Sequence, residues 1–155
     1  MAYQVSIFLE NKTGHFERVT RVLKNNGINI RSMTLTHTVS GWGILNLLVD
    51  QPEKANQALQ ESGLSSALRK VLAFGMEDHP GGLDDILLKL AQAGVNFLNA
   101  YGRVLEDGKQ ALLVVDVDDY DLALEQVAKI NLSPLNDEMV YGNESIKHDN
   151  YGRNS

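Results

Sequence analysis

Two short stretches of this chain gather the residue types needed to hold a small zwitterion. The first is Asn11-Lys12-Thr13-Gly14, between an alternating apolar segment and an amphipathic one, so the chain passes from strand to helix there. Gly14 removes a Cβ where the free N–H groups of a helix start are exposed, a setting that attracts a carboxylate or a phosphate. The Asn11 amide can both donate and accept. Asn29 opens the next strand and is expected near the same end of the sheet. Donors and acceptors together suit a ligand with a carboxylate and an ammonium. Taken singly, Asn11 is better explained as a helix cap and Gly14 as a backbone requirement than as ligand contacts. The same set recurs as Asp78-His79-Pro80-Gly81 with Asn96, and recurrence favours a binding role in at least one copy.

The recurrence extends along the chain. At an offset of 67 residues, Leu23 falls on Leu90, Gly27 on Gly94 and Asn29 on Asn96. Val49-Asp50 then matches Val117-Asp118 at an offset of 68, which places one extra residue in the turn at Asp107-Gly108. Apolar classes agree where letters differ: Phe16 with Leu83, Val19 with Ile86, Ile30 with Phe97. An internal duplication is the reading.

The elements that must position these residues follow from period and punctuation. Residues 3–9 alternate as a half-buried strand with Tyr3, Val5, Ile7 and Leu9 inward. Residues 15–26 put Phe16, Val19, Val22 and Leu23 on one helical stripe that stops at Gly27. Strands over 29–37 and 42–49 flank the hairpin turn Ser40-Gly41. A second helix starts with Asp50 as cap, Pro52 in the first turn and Glu53 in the capping-box position, presents Ala55 and Leu59, and stops near Gly63. A strand near 65–70 runs into the next copy. There, strand 71–77 precedes a helix with Leu83, Ile86, Leu87 and Leu90 inward, and strands 96–104 and 110–117 flank Asp107-Gly108. A helix capped by Asp118 runs to about Lys129, and a strand over 134–141 closes the copy. The fold class is therefore α+β: two ferredoxin-like βαββαβ units with antiparallel sheets and helices on one face. The units span 1–69 and 70–141, and 142–155 form a polar tail expected to be mobile. Units this small leave a bare sheet face, to be covered by pairing or by a second chain, so a homodimer is expected.

Composition narrows the function classes. The chain has 155 residues, 43% hydrophobic and 22% charged, and no cysteine, which removes disulfides, thiolate metal sites and thiol nucleophiles. No secretory signal or membrane span is visible, so a soluble cytoplasmic protein is expected. Net charge is −6, but residues 1–69 carry seven Lys/Arg against five Asp/Glu, and 70–155 carry seven against fifteen. An acidic second half argues against binding a phosphate backbone there. His15, His37, His79 and His148 show no metal-ligand spacing. Asp116-Val117-Asp118-Asp119-Tyr120-Asp121 fails the calcium-loop pattern and is read as a strand end followed by helix-start charges. Neither catalytic residues, nor a metal, nor a cofactor is expected.

Asn-Lys-Thr-Gly followed by the strand Gly27-Ile28-Asn29-Ile30 resembles the ACT domain, a small regulatory module that senses amino acids. Asp78-His79-Pro80-Gly81 with Gly94-Val95-Asn96-Phe97 resembles it again, and the likeness covers residues 3–141. The first unit is also similar to the start of the small regulatory subunits of acetolactate synthases. The resemblance implies a non-catalytic regulator that binds a small amino acid between units and acts on a metabolic enzyme or regulator. Carried over, the ligand-binding positions are Asn11, Lys12, Thr13, Gly14 and Asn29, with Asp78, Gly81 and Asn96 in the second copy. Thr13 stands where the family usually has Pro, and Asp78 where it has Asn. A carboxylate at position 78 repels a ligand carboxylate but can hold an ammonium, so the two sites need not be equal. Some members carry a His two residues before the turn Asn, where this chain has Leu9 and Met76.

Two other readings stand beside this one. An RNA-recognition motif has the same βαββαβ order, and Phe8 and Trp42 could stack bases. Ile44 and Ser40 stand where that motif needs an aromatic and a base, and the second copy has no such motif, so nucleic acid is disfavoured. A scaffold or regulatory subunit that works without a ligand is the other alternative.

Overall fold

The computed structural model describes residues 1–38 and 40–143. In chain order the elements are β1 (Ala2–Glu10), α1 (His15–Asn25), β2 (Ile30–His37), β3 (Trp42–Val49), α2 (Pro52–Glu61) and β4 (Ser65–Glu77). They continue with α3 (Gly82–Ala93), β5 (Phe97–Glu106), β6 (Gln110–Val117), α4 (Tyr120–Ala128) and α5 (Asp137–Tyr141). All six strands form one antiparallel sheet in the order β2-β3-β1-β4-β6-β5.

One strand joins the two copies. β4 is continuous over 13 residues. Its first half pairs with β1, from Ser65 opposite Phe8 to Val71 opposite Ala2, and its second half pairs with β6, from Leu72 opposite Val115 to Glu77 opposite Gln110. The boundary expected between residues 69 and 70 falls inside this strand. Alternation along it sets the layers. Leu68 packs with the first core, and Leu72, Phe74 and Met76 with the second; all four share one face.

That face carries α1 and α2 over the first half and α3 and α4 over the second. Val5, Ile7, Leu45, Leu47, Val19, Leu23, Ala55 and Leu59 are fully buried in the first core. The helical stripe expected from Val19 and Leu23 is therefore the one observed, and each such Leu or Val contributes about 1.5–3 kcal/mol. In α3, Ile86 and Leu90 are buried but Leu83 is exposed, contrary to its expected inward place. The stripe runs back by a helical turn from Ile86 to Gly82, which lies so close to β4 that a Cβ on it would sit 1.9 Å from the Glu77 carbonyl oxygen.

The opposite face is not bare. The sheet curls until its edge strands β2 and β5 touch, and Asn99 Nδ2 donates to Thr34 Oγ1 at 3.2 Å. The space between the two halves holds a third apolar cluster, in which Val140 and Tyr141 of α5 pack against Ala2, Leu48, Val71, Ala73, Leu112 and Val114. The sequence-based reason for a dimer, an uncovered sheet face, is met here largely within one chain.

A polar layer crosses this space. Gln4, on the face expected to be outward, is fully buried. Its Nε2 donates to Asp116 Oδ2 at 3.0 Å, and its Oε1 accepts from the Tyr101 hydroxyl at 3.0 Å. Arg69 of the shared strand grips Asp116 through Nε and Nη2 at 3.1 and 2.9 Å from Oδ1. Burial and the Asp116 charge push the Tyr101 hydroxyl far above the usual tyrosine range, which keeps it a donor. Asp116, read from sequence as a mere strand end, is thus the centre of the contact between halves.

Three local expectations are corrected. Residues 134–141 do not form a closing strand. Only the Leu135 N–H bonds β4, at the Ala73 carbonyl (2.8 Å), before Asn136 caps α5 by accepting from the Met139 N–H at 2.8 Å. Asp50 does not cap α2: the cap is Gln51 without a side-chain bond, and Asp50 Oδ1 instead accepts from the Asn29 N–H at 2.9 Å. The cap of α4 is Asp119, one residue beyond Asp118, accepting from the Leu122 N–H at 3.0 Å. The tail begins anchored, since Asn143 Nδ2 donates to the Asp50 carbonyl at 2.8 Å; residues 144–155, with His148, lie outside the described residues.

Gly82→Ala is expected to cost about 1–3 kcal/mol through overpacking against Glu77, read as a drop in urea midpoint. Gly14→Ala meets no atom within 4 Å and bears only the left-handed backbone cost of about 1–2 kcal/mol. Asp116→Ala should cost about 1–3 kcal/mol by stranding Arg69 and Gln4, whereas Asp119→Ala should cost about 1 kcal/mol as an ordinary cap loss. Equal effects of the Asp116 and Asp119 changes in the same urea series would contradict the assigned role of Asp116.

Candidate functional site

The two strand–helix turns are built alike. Gly14 caps α1 at φ 87°, ψ −12°, and Gly81 caps α3 at φ 92°, ψ −12°, a left-handed conformation that favours glycine. In the first copy the Arg18 N–H reaches the Gly14 carbonyl, and in the second the Asp85 N–H reaches the Gly81 carbonyl, each at 3.0 Å. The neighbouring hairpin docks on each turn by an equivalent bond, Asn11 N–H to the Gly41 carbonyl (2.8 Å) and Asp78 N–H to the Lys109 carbonyl (3.2 Å). The shared left-handed turn explains why the glycines recur.

The turns differ in what surrounds that frame. His15 follows Gly14, and its Nδ1 lies 3.1 Å from the Glu10 carbonyl. Gly82 occupies the matching place in the second copy. The Asp78 carboxylate accepts from the Gly108 N–H at 2.8 Å, so one of its oxygens already holds the β5–β6 hairpin. Lys12 pairs with Glu10 at 3.2 Å on the surface, and Thr13 is exposed.

The register does not bring Asn29 to Asn11. Glu10 lies opposite Trp42 at one end of the β1–β3–β2 ladder, and Ile30 lies opposite Val49 at the other. At about 3.3 Å per residue the two asparagines stand roughly 25 Å apart. The expected shared end is wrong because β2 runs parallel to β1 and starts at the far end. The same holds for Asp78 and Asn96, since Glu77 pairs near one end of β6 and Phe97 near the other.

A cavity of about 570 Å³ opens beside the second turn. Glu77 and Gly82, which bracket residues 78–81, form part of its wall, with Asp85, Ile86 and Lys89 from α3. Leu132, Leu135 and Met139 close it from the segment that replaces the expected strand. Asp78, Gly81 and Asn96 are not in this wall. Sequence reasoning missed Asp85 and Lys89, although Gly81-Gly82 in place of Gly14-His15 was a visible sign that the second turn differs. Near it, His79 touches Glu77 through Nε2, and its Nδ1 lies 2.9 Å from the Pro80 carbonyl. The Pro80 carbonyl first and the Glu77 carboxylate second raise the His79 pKa above its ordinary value.

Phe8 and Trp42 stack on one another at 4.9 Å between centroids and 13° between planes. One face of each ring is thus already covered. Among the described residues, no group of three His, Asp or Glu converges as for a metal, and no helix is long and apolar enough to cross a membrane.

The sequence profile of the ACT domain pair matches residues 1–142. The chain belongs to the ACT domain pair family. Among solved structures, this ACT pair is similar to a protein from Bacteroides thetaiotaomicron, at 28% identity over 90% of this chain and 95% of the other, with a TM-score of 0.79. The ligand-free regulatory subunit of aspartate kinase from Thermus thermophilus shares the fold at 15% identity, covering 82% and 90% of the two chains, with a TM-score of 0.59. No curated protein sequence matches. Membership supports a regulatory, amino-acid-binding role and points to a regulatory rather than a catalytic domain.

The ring protons of His79 in this ACT pair should titrate by NMR above 6.5. In Glu77→Gln the midpoint should fall toward the ordinary value. Because the folded-state pKa is raised, any stabilisation from this contact is present below the unfolded pKa and is lost as pH rises through the folded one. An unchanged midpoint in Glu77→Gln would remove Glu77 as a cause.

Proposed function

We propose that this ACT pair binds a small amino acid at the second strand–helix turn, and that occupancy regulates a metabolic enzyme or regulator. The observation that carries the reading is the cavity of about 570 Å³ with both signs of charge in its wall. That volume lies within the range of small-molecule sites, about 300–1,000 Å³. Lys89 suits a carboxylate, Glu77 and Asp85 suit an ammonium, and Ile86, Leu132, Leu135 and Met139 suit an apolar side chain. Of the expected ligand-binding residues, the turn pair Asp78 and Gly81 then acts by holding the frame of this site. Asn11, Lys12, Thr13 and Gly14 frame the corresponding turn of the first half, and Asn29 and Asn96 lie at the far ends of their ladders.

A route for transmission starts in the cavity wall. Met139 belongs to α5, and its neighbours Val140 and Tyr141 pack between the two halves. The Tyr141 hydroxyl accepts from the Tyr3 N–H at 2.8 Å. A ligand that pushes or draws Met139 therefore favours one relation between halves over another, which is the differential contact that regulation needs.

A thermal-shift screen of the twenty amino acids tests this. At 100 times its dissociation constant the true ligand stabilises by about 2.7 kcal/mol, and Lys89→Met should remove the shift while keeping the unliganded melting temperature. No shift with any amino acid would leave the ligand-free scaffold as the better reading. Salt-sensitive binding of single-stranded RNA, lost in Phe8→Ala, would favour the RNA-binding alternative.

A further inference from the structure

A second feature lies at the seam where the two edge strands meet, away from both turns. Arg31 of β2 and Arg103 of β5 converge on Gly142. A methyl group on that glycine would lie 3.0 Å from Arg31 Nε and 3.1 and 3.3 Å from Arg103 Nη1 and Nη2. The two guanidinium groups thus crowd one point, in a chain whose net charge is −6. Among the described residues, neither arginine has a carboxylate within ion-pair distance.

Arg31 has a structural task. Its Nε donates to the Tyr141 carbonyl at 2.8 Å and its Nη2 to the Gly142 carbonyl at 3.4 Å, which satisfies the C-terminus of α5. Arg103 has none. Its Nε is buried without any hydrogen-bond partner among the described residues, and its guanidinium donates to no described group. Burial first and the Arg31 charge second lower the Arg103 pKa, so the neighbourhood opposes its charge. A fork of donors next to a second cation fits an incoming oxyanion, which Arg103 can bind through paired N–H groups while Arg31, engaged with α5, adds its charge.

We infer that Arg31 and Arg103 form a binding site for an oxyanion, a carboxylate or phosphate group, at the seam between β2 and β5. The partly exposed Arg103 side chain leaves the site open from solvent. Gly142 is the left-handed C-cap of α5 at φ 72°, and a side chain on it would crowd both guanidinium groups. The site joins one strand from each half, so an anion in it links the copies at their edges. It does not depend on the amino-acid reading, because neither arginine lines the cavity beside α3.

The test is titration of the full chain with malonate and, separately, with inorganic phosphate, against sodium chloride at matched ionic strength, following melting temperature and calorimetric heat. A saturable rise with either probe is expected, and Arg103→Gln should weaken that probe at least about tenfold, as for loss of a charged hydrogen-bond donor. Arg103→Lys, which keeps charge but loses the fork, should fall between. The chain carries carboxylates of its own beyond Gly142, so the titration is repeated in Glu144→Gln combined with Asp149→Asn. Tighter probe binding in that variant identifies an internal carboxylate as the occupant, and unchanged binding identifies a free one. Lys89→Met should leave the anion effect intact, which separates this site from the cavity. No saturable effect in either background, or one that survives Arg103→Gln, overturns the inference.

Discussion

Gln4 is the contact on which the relation of the two halves depends. A neutral amide with no exposure must find partners on both its nitrogen and its oxygen, or its burial destabilises the fold. Gln4 comes from the first half, and its strong partners, Asp116 and Tyr101, both come from the second. Arg69, from the strand common to both, completes the charge balance of Asp116. Apolar packing between halves would tolerate sliding by a fraction of a residue; this set of directed bonds does not. The continuous β4 gives the halves a common backbone, and the Gln4 layer joins them across the space between.

The duplication has kept the frame and changed the fittings. Left-handed glycines, hairpin-to-turn bonds and buried helix stripes occur in both copies at matching places. The differences gather in the second copy. Gly82 lets α3 lie against the end of β4, Leu135 makes one bond to β4 where a strand over 134–141 was expected, and the cavity lies between them. A full closing strand would have used that edge of β4 for backbone pairing and left no room for side chains to line a pocket. The irregular segment and the cavity occupy the same place.

The segment α5 ties these features together. Met139 faces the cavity, Tyr141 reaches the first strand through its hydroxyl, and its terminal carbonyls receive Arg31. Burial pushes the Tyr141 hydroxyl up to about 12, which keeps it neutral across ordinary pH. A five-residue helix has little stability of its own, so its position reports the packing around it.

Much of this was legible in the sequence. Offsets of 67 and 68 residues exposed the duplication, and Val19, Leu23, Ala55 and Leu59 marked their helices correctly, because periodicity reflects burial along one element. The family followed from two in-phase glycine turns. Other features depended on partners distant in sequence. Gln4 looked like a solvent-facing strand residue because the alternating pattern records only the face toward the helices. Asp116 looked like a strand end because its partners lie 47 and 112 positions away. Asn29 was placed at the wrong end of the sheet because spacing gives strand length, while pairing direction is a property of the assembled ladder. A strand over 134–141 was expected because the second copy repeats the first, but Leu135 bonds β4 only once and Asn136 then caps a helix. Local physics determined the elements and their inward faces; the curl of the sheet, the buried polar layer and the cavity arose only when two halves met.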